Sequence, residues 1–205
     1  HIIGAFPKPK KESTYVVLTT KKGLSKKLAY KNINKIRGTV VAIKLADDDE
    51  LVSVDILSDE SKDMIVYTRE GGGIRINSDD IRECGRAAYG LSVISLADGD
   101  EVIGTTMIDN KDKYILVITN KGRMKKCTLS TFETMKRKSQ TLQISRLGKN
   151  EQIAYIKSVK NSDSFMVYTM FTEEEFKVKD IVELNRLHEC KKVMKISSKD
   201  RVLDV

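Results

Sequence analysis

The sequence predicts an all-β, propeller-like array of four four-stranded blades, and three observations carry that reading. One unit recurs four times, starting at Tyr15, Met64, Tyr114 and Phe165, with starts 49, 50 and 51 residues apart. A period of this size containing several short strands marks a bladed array. Each unit is a β-branched apolar run ending in Thr, a polar turn and a second extended run, which are strand and hairpin signals. No segment sustains helical periodicity for three turns.

Each repeat reads as strands a, b, c and d. In the first they fall near 15–20, 24–29, 38–45 and 50–57, and in the second near 64–69, 73–77, 90–96 and 101–108. The third has 114–119, 123–128, 140–147 and 151–159, and the fourth 165–171, 175–179, 192–197 and 201–205. The a–b turns Lys21-Lys22-Gly23, Arg69-Glu70-Gly71 and Asn120-Lys121-Gly122 place Gly where a three-residue hairpin needs positive φ. The c–d turns Asp47-Asp48-Asp49 and Asp98-Gly99-Asp100 are acidic, and the longer b–c loops fall at 30–37, 78–89, 129–139 and 180–191. Apolar residues at equivalent places (Val17, Ile65, Leu116, Met166; Ile43, Ile94, Ile144, Met194) are read as core between stacked blades. The repeats divide the chain at about 15–63, 64–113, 114–164 and 165–205, and residues 1–14 read as a linker or tag-proximal segment.

The chain has 205 residues, 40% apolar, with no apolar run of membrane-spanning length and no visible signal peptide. Cys84, Cys127 and Cys190 are odd in number and form no CxxC pair. Reduced thiols of a cytoplasmic protein are expected. With His1 and His188 the only histidines, a Cys/His zinc site is disfavoured, and no cofactor is expected.

The net charge of +8 is unevenly spread. Residues 113–163 carry 12 Lys/Arg against 3 Asp/Glu, while 61–112 carry 6 against 10. Concentrated positive charge points to a polyanion partner. The basic residues recur at two repeat-equivalent places. One surrounds the a–b hairpin: Lys21, Lys22, Lys26 and Lys27; Arg69 and Arg75; Lys121, Arg123, Lys125 and Lys126. The other ends the b–c loop: Lys35 and Arg37; Arg82 and Arg86; Lys136, Arg137 and Lys138; Lys191 and Lys192. For a single Lys, a solvated strand edge is the plainer reading. Pooled, these positions form a band that could follow a phosphate backbone, centred on the third repeat and extending to the first.

The strand–Thr-x-x-Gly–strand unit, followed by Gly-Arg-x-x-x-Gly before a strand and an Asp-bearing turn, resembles the repeat in the C-terminal domain of bacterial type IIA topoisomerase A subunits. The clearest matches are TNKGRMKK (119–126) and CGRAAYGLSVISLADGDEV (84–102). The resemblance covers all four repeats and implies a β-pinwheel, in which blades exchange strands. It further implies a non-catalytic, basic-rimmed domain that bends duplex DNA with little sequence preference. The expected partners, besides DNA, become the rest of the topoisomerase polypeptide and its ATPase B subunit; the nucleoid becomes the expected location. The gyrase box Gln-x-Arg-Gly-Gly-Lys-Gly is absent, its nearest counterpart being Gly85-Arg86-Ala87-Ala88-Tyr89-Gly90. That departure favours a topoisomerase IV-like parent over a gyrase-like one.

Enzymatic readings find little support. Gly71-Gly72-Gly73 sits in a hairpin rather than opening a helix, and Asp47-Asp48-Asp49-Glu50 lacks calcium-loop spacing. Tyr15, Tyr67, Tyr114 and Tyr168 read as strand packing residues. In the fourth hairpin, Thr172-Glu173-Glu174-Glu175 stands where other repeats have Lys or Gly, so a DNA track would end before it. An ordinary solvated loop accounts for it equally well. A propeller that binds an acidic protein remains the alternative, and the acidic second repeat fits it.

Overall fold

The computed structural model describes residues 2–11, 14–197 and 199–205. Among the described residues sixteen strands follow one another: β1 (Tyr15–Thr20), β2 (Leu24–Ala29), β3 (Leu51–Leu57), β4 (Ser61–Thr68), β5 (Gly72–Asn77), β6 (Leu91–Ser92), β7 (Val102–Asp109) and β8 (Tyr114–Thr119). Then come β9 (Arg123–Thr128), β10 (Thr134–Met135), β11 (Leu142–Gln143), β12 (Ile153–Val159), β13 (Ser164–Thr169), β14 (Glu173–Lys177), β15 (Lys191–Lys192) and β16 (Val202–Asp204). A single 3-10 turn follows strand b of every repeat.

The sheets run β3-β1-β2-β6, β7-β4-β5 with both β10 and β11 on β5, β12-β8-β9-β15, and β16-β13-β14. Each of the first three blades therefore takes its own d, a and b strands, and its outermost strand comes from the following repeat. This is the strand exchange of a β-pinwheel. The inner strands pack in the order β3–β7–β12–β16, which puts β6, β11 and β15 at the perimeter.

Alternation along strand a fills the spaces between blades. Val17, Met64, Val66, Ile74 and Val102 form one apolar core between the first two blades. Ile65, Ile115, Val117 and Ile144 form the next, and Leu116, Ile118, Val167 and Met194 the third. The expected turn conformations are present: Gly23, Gly71 and Gly122 have φ of 77°, 88° and 66°. Each of these glycines also accepts the incoming segment through its carbonyl, from Val93, Ile144 and Met194 N–H respectively. The acidic turns act as staples. Asp49 Oδ1 accepts from Lys22 and Glu50 N–H, and Asp100 Oδ1 from Glu70 and Glu101 N–H. Asp200 Oδ1 repeats the pattern with Met170 and Arg201.

The c strands depart most from expectation. Those near 90–96, 140–147 and 192–197 shrink to two-residue ladders, because each meets its partner only at the blade's outer edge. The strand expected at 38–45 is absent. Instead Ala42 and Ile43, with Tyr30 and Ile33, cover the outer face of the first blade over Val16, Leu18 and Leu28. Strand b of the fourth repeat begins at Glu173 rather than 175 because its hairpin lacks the turn glycine.

Candidate nucleic-acid interface

The basic residues of strand b separate into two kinds once the register is known. Cross-strand pairing makes Lys26, Ile74 and Lys125 equivalent, and likewise Lys27, Arg75 and Lys126. Neighbouring strand residues point to opposite faces, so these pairs cannot share one rim.

Lys26 is fully buried, and its Nζ donates to the carbonyl oxygens of Gly85, Arg86 and Ala88 at 2.7, 2.7 and 3.0 Å. Lys125, also fully buried, donates to those of Asn185, Arg186 and His188 at 3.3, 2.8 and 2.7 Å. Burial lowers the pKa of both ammonium groups. The second set reaches the 3-10 turn of the next repeat or the residue that ends it: Lys27 donates to Ser78 O, Arg75 to Phe132 O and Lys126 to Val178 O. Beneath each of these cations lies a partner from the start of strand a. Lys27 and Lys126 stand over the Tyr15 and Tyr114 rings at 5.4 and 5.0 Å, and Arg75 pairs with Asp63 at 2.5 Å.

Lys26, Lys27, Arg75, Lys125 and Lys126, expected on a phosphate-facing rim, thus bind carbonyls of the succeeding repeat. The physical reason is the strand exchange. Wrapping one repeat's loop around its predecessor buries backbone oxygens that need donors.

The hairpin tips are exposed but largely paired. Lys21 meets Glu101 at 3.0 Å, Arg69 pairs with the same carboxylate, and Lys22 pairs with Asp48. Arg123 lies 3.3 Å from Glu189, and Lys121 donates to Lys149 O. Lys22 and Arg123 are thus paired with a carboxylate each, Lys21 and Arg69 share one, and Lys121 keeps its full charge.

The b–c loops differ. Lys35, Arg37, Arg86, Lys136, Arg137 and Lys138 are exposed and have no acidic partner within salt-bridge distance among the described residues. Arg86, Arg137 and Arg186 occupy equivalent tight turns immediately before β6, β11 and β15, hence at the perimeter. Sequence reading misses Arg186, although its place after Asn185 parallels Arg86 after Gly85. It also misses Lys44, whose Nζ stands 5.0 Å from the exposed Tyr89 ring beside the Arg86 loop.

Burial raises the pKa of Cys127 and pushes that of Cys190 up to about 11, so both remain thiols. Tyr67 is buried as expected, whereas Tyr168 is 41% exposed on the last blade.

Comparison with known proteins places this geometry among relatives. Residues 14–58, 62–109 and 113–160 match the family described as "DNA gyrase C-terminal domain, beta-propeller". The chain is 30% identical over 159 residues to the DNA gyrase A subunit of Haloquadratum walsbyi, covering 76% of this chain. It is 30% identical over 161 residues to that of Staphylococcus epidermidis, covering 77%. It spans 18% of the length of each of these two relatives. A solved C-terminal domain of DNA topoisomerase IV superposes with a TM-score of 0.84 at 26% identity, covering 93% of this chain and 60% of the other. A DNA gyrase A C-terminal domain superposes at 0.87 and 19% identity, covering 97% and 67%.

Proposed function

The chain belongs to the DNA gyrase C-terminal domain family, and from that premise we propose that it binds and bends duplex DNA as a non-catalytic accessory domain of a type IIA topoisomerase A subunit. The carrying observation is the perimeter set Arg86, Arg137 and Arg186, on equivalent turns at the outer ends of successive blades, reinforced by Lys35, Arg37, Lys136 and Lys138. Cations at regular intervals on a curved edge contact successive phosphates only if the duplex follows the curve. Smooth bending of a short site costs about 1–6 kcal/mol, offset by the added contacts. Readout is of the backbone rather than of base edges, because among the described residues no helix longer than a single 3-10 turn is available to enter a groove.

The parent polypeptide works with its ATPase B subunit on the bacterial nucleoid, in the cytoplasm. The absence of a Gln-x-Arg-Gly-Gly-Lys-Gly box within these 205 residues supports a topoisomerase IV-like parent over a gyrase-like one.

Fluorescence anisotropy with a random-sequence duplex over a salt series tests the reading. Six phosphate contacts give a slope of log K against log salt of roughly −5. Arg86→Ala combined with Arg137→Ala should make that slope shallower by about 2. A salt-independent response, or no duplex binding at low salt, would sink the DNA reading in favour of an acidic protein partner.

A further inference from the structure

We propose that Lys26 and Lys125 are positioning residues for duplex binding: each ammonium pins, from within, the loop of the following repeat that carries Arg86 or Arg186. This rests on the duplex-binding reading above.

The two sites are built alike. An ammonium has three N–H donors, and in both blades the three meet carbonyls of residues n, n+1 and n+3 of the loop. Residue n+1 is the perimeter arginine. Its own carbonyl is 2.7 Å from Lys26 Nζ in one loop and 2.8 Å from Lys125 Nζ in the other. With its backbone held on the inner side, Arg86 stands exposed on the outer side. Arg186 is steadied further by donating to Gln143 O at 2.8 Å. Neither lysine can reach a phosphate, since all three protons of each are engaged and both residues are fully buried.

Packing alone does not demand a lysine at this position. The second blade carries Ile74 there, equally buried. The loop it faces is held otherwise: Lys138 adopts a φ of 66° and donates its N–H to Val93 O. That loop also has three consecutive cations, Lys136, Arg137 and Lys138, where the equivalent turn residues 85–87 and 185–187 hold a single arginine each. A lone arginine needs a fixed backbone to meet a phosphate, whereas a cluster tolerates a looser one.

The test uses the whole chain and compares Lys26→Met, Arg86→Ala and the double variant. Hydrogen exchange without DNA reads the clamp, and anisotropy with a duplex reads binding. Lys26→Met should speed exchange at residues 85–90 and weaken duplex binding about five- to tenfold, as Arg86→Ala does. The salt slope should fall by ~0.9 in each single variant. The double variant should bind no worse than Arg86→Ala, because both lesions remove one contact. Should Lys26→Met fail to fold, Lys26→Ile repeats the test with the residue blade two carries, and Lys125→Met with Arg186→Ala repeats it independently. Binding loss with Arg86→Ala but none with Lys26→Met overturns the positioning role alone. Losses that multiply in the double variant overturn it too. No loss with either single variant overturns the duplex reading on which it rests.

Discussion

Replacing Lys126 by Met separates the role its sequence position suggests from the one the fold gives it. Its Nζ donates to Asn161 Oδ1 at 2.8 Å, Val178 O at 3.0 Å and Lys179 O at 3.4 Å, and stands over the Tyr114 ring. The residue is 5% exposed, so water does not replace the lost donors. Hydrogen bonds to a charged group contribute about 1.5–3 kcal/mol each when well formed, and the cation–π contact adds about 1 kcal/mol. Relieving the ammonium of its dehydration returns several kcal/mol. Met keeps the aliphatic stem, and the backbone bonds of residue 126 to Val182 and Leu184 survive. The net loss is therefore about 2–4 kcal/mol. For a chain of this size each kcal/mol lowers Tm by roughly 2–4 °C.

Because repeats contact mainly their neighbours, the damage should concentrate where blade three meets blade four. Calorimetry should show an earlier transition for Lys126→Met, and hydrogen exchange should rise first in residues 164–181. Duplex affinity per folded molecule should be unchanged at low temperature. An unaltered Tm accompanied by a loss of duplex binding would refute the reasoning and return Lys126 to the phosphate track.

Three further outcomes follow from the same geometry. Asp55, half-buried on the inner strand β3 and accepting from Ser53 and Thr105 hydroxyls, has its pKa raised chiefly by burial. A carboxyl whose pKa is higher folded than unfolded costs stability as pH climbs above its unfolded value of about 4. Asp55→Asn should therefore raise Tm at pH ~7.5 and change it little near pH ~4; an equal gain at both would show that charge is not the cause. Gly73→Ala would put a Cβ 2.2 Å from Ile144 Cδ1 and 2.9 Å from Val66 O. Overpacking of this kind costs about 1–3 kcal/mol, so the urea midpoint should fall by the corresponding amount. Glu174→Val with Glu175→Val removes charge from an open sheet edge and should produce concentration-dependent association in sedimentation velocity.

Much of the architecture is legible in the sequence because local chemistry decides it. Strands a, b and d stand within three residues of expectation, and Gly23, Gly71 and Gly122 take the positive φ their turns require. The c strands are shorter than their composition suggests, since their length depends on how much of each segment meets a neighbouring blade. Segment 38–45 has strand composition throughout, but it covers the first blade's face instead of joining a sheet. The basic band misleads for a different reason. Repetition shows that a position matters to every blade without showing whether it faces water or a neighbour's carbonyls. Two signals in the sequence bear on that choice. Lys26-Lys27 and Lys125-Lys126 are adjacent residues within strands, so their side chains must diverge. The residue opening strand a also changes with the second cation of the pair: Tyr15 with Lys27, Asp63 with Arg75, Tyr114 with Lys126.

The fourth blade shows that these cations serve succession from blade to blade. Register places Glu174 and Glu175 where Lys26 and Lys27, or Lys125 and Lys126, stand in other blades. Ser164 takes the place of the tyrosine or aspartate beneath the second cation. The turn glycine that receives an incoming segment is missing, and Thr169-Met170-Phe171-Thr172 closes the hairpin one residue sooner. The two cations, the residue beneath the second and the turn glycine thus all differ in this blade. At both clasp positions the charge has also reversed. Carboxylates there would face the carbonyls of an arriving loop, two acceptors without a donor, at a cost of about 1–3 kcal/mol for each buried unsatisfied group. The acidic hairpin need not be explained by repulsion of a phosphate chain. Its glutamates differ from the residues with which β2, β5 and β9 hold the next repeat, and charge along a sheet edge also guards it against strand pairing between molecules.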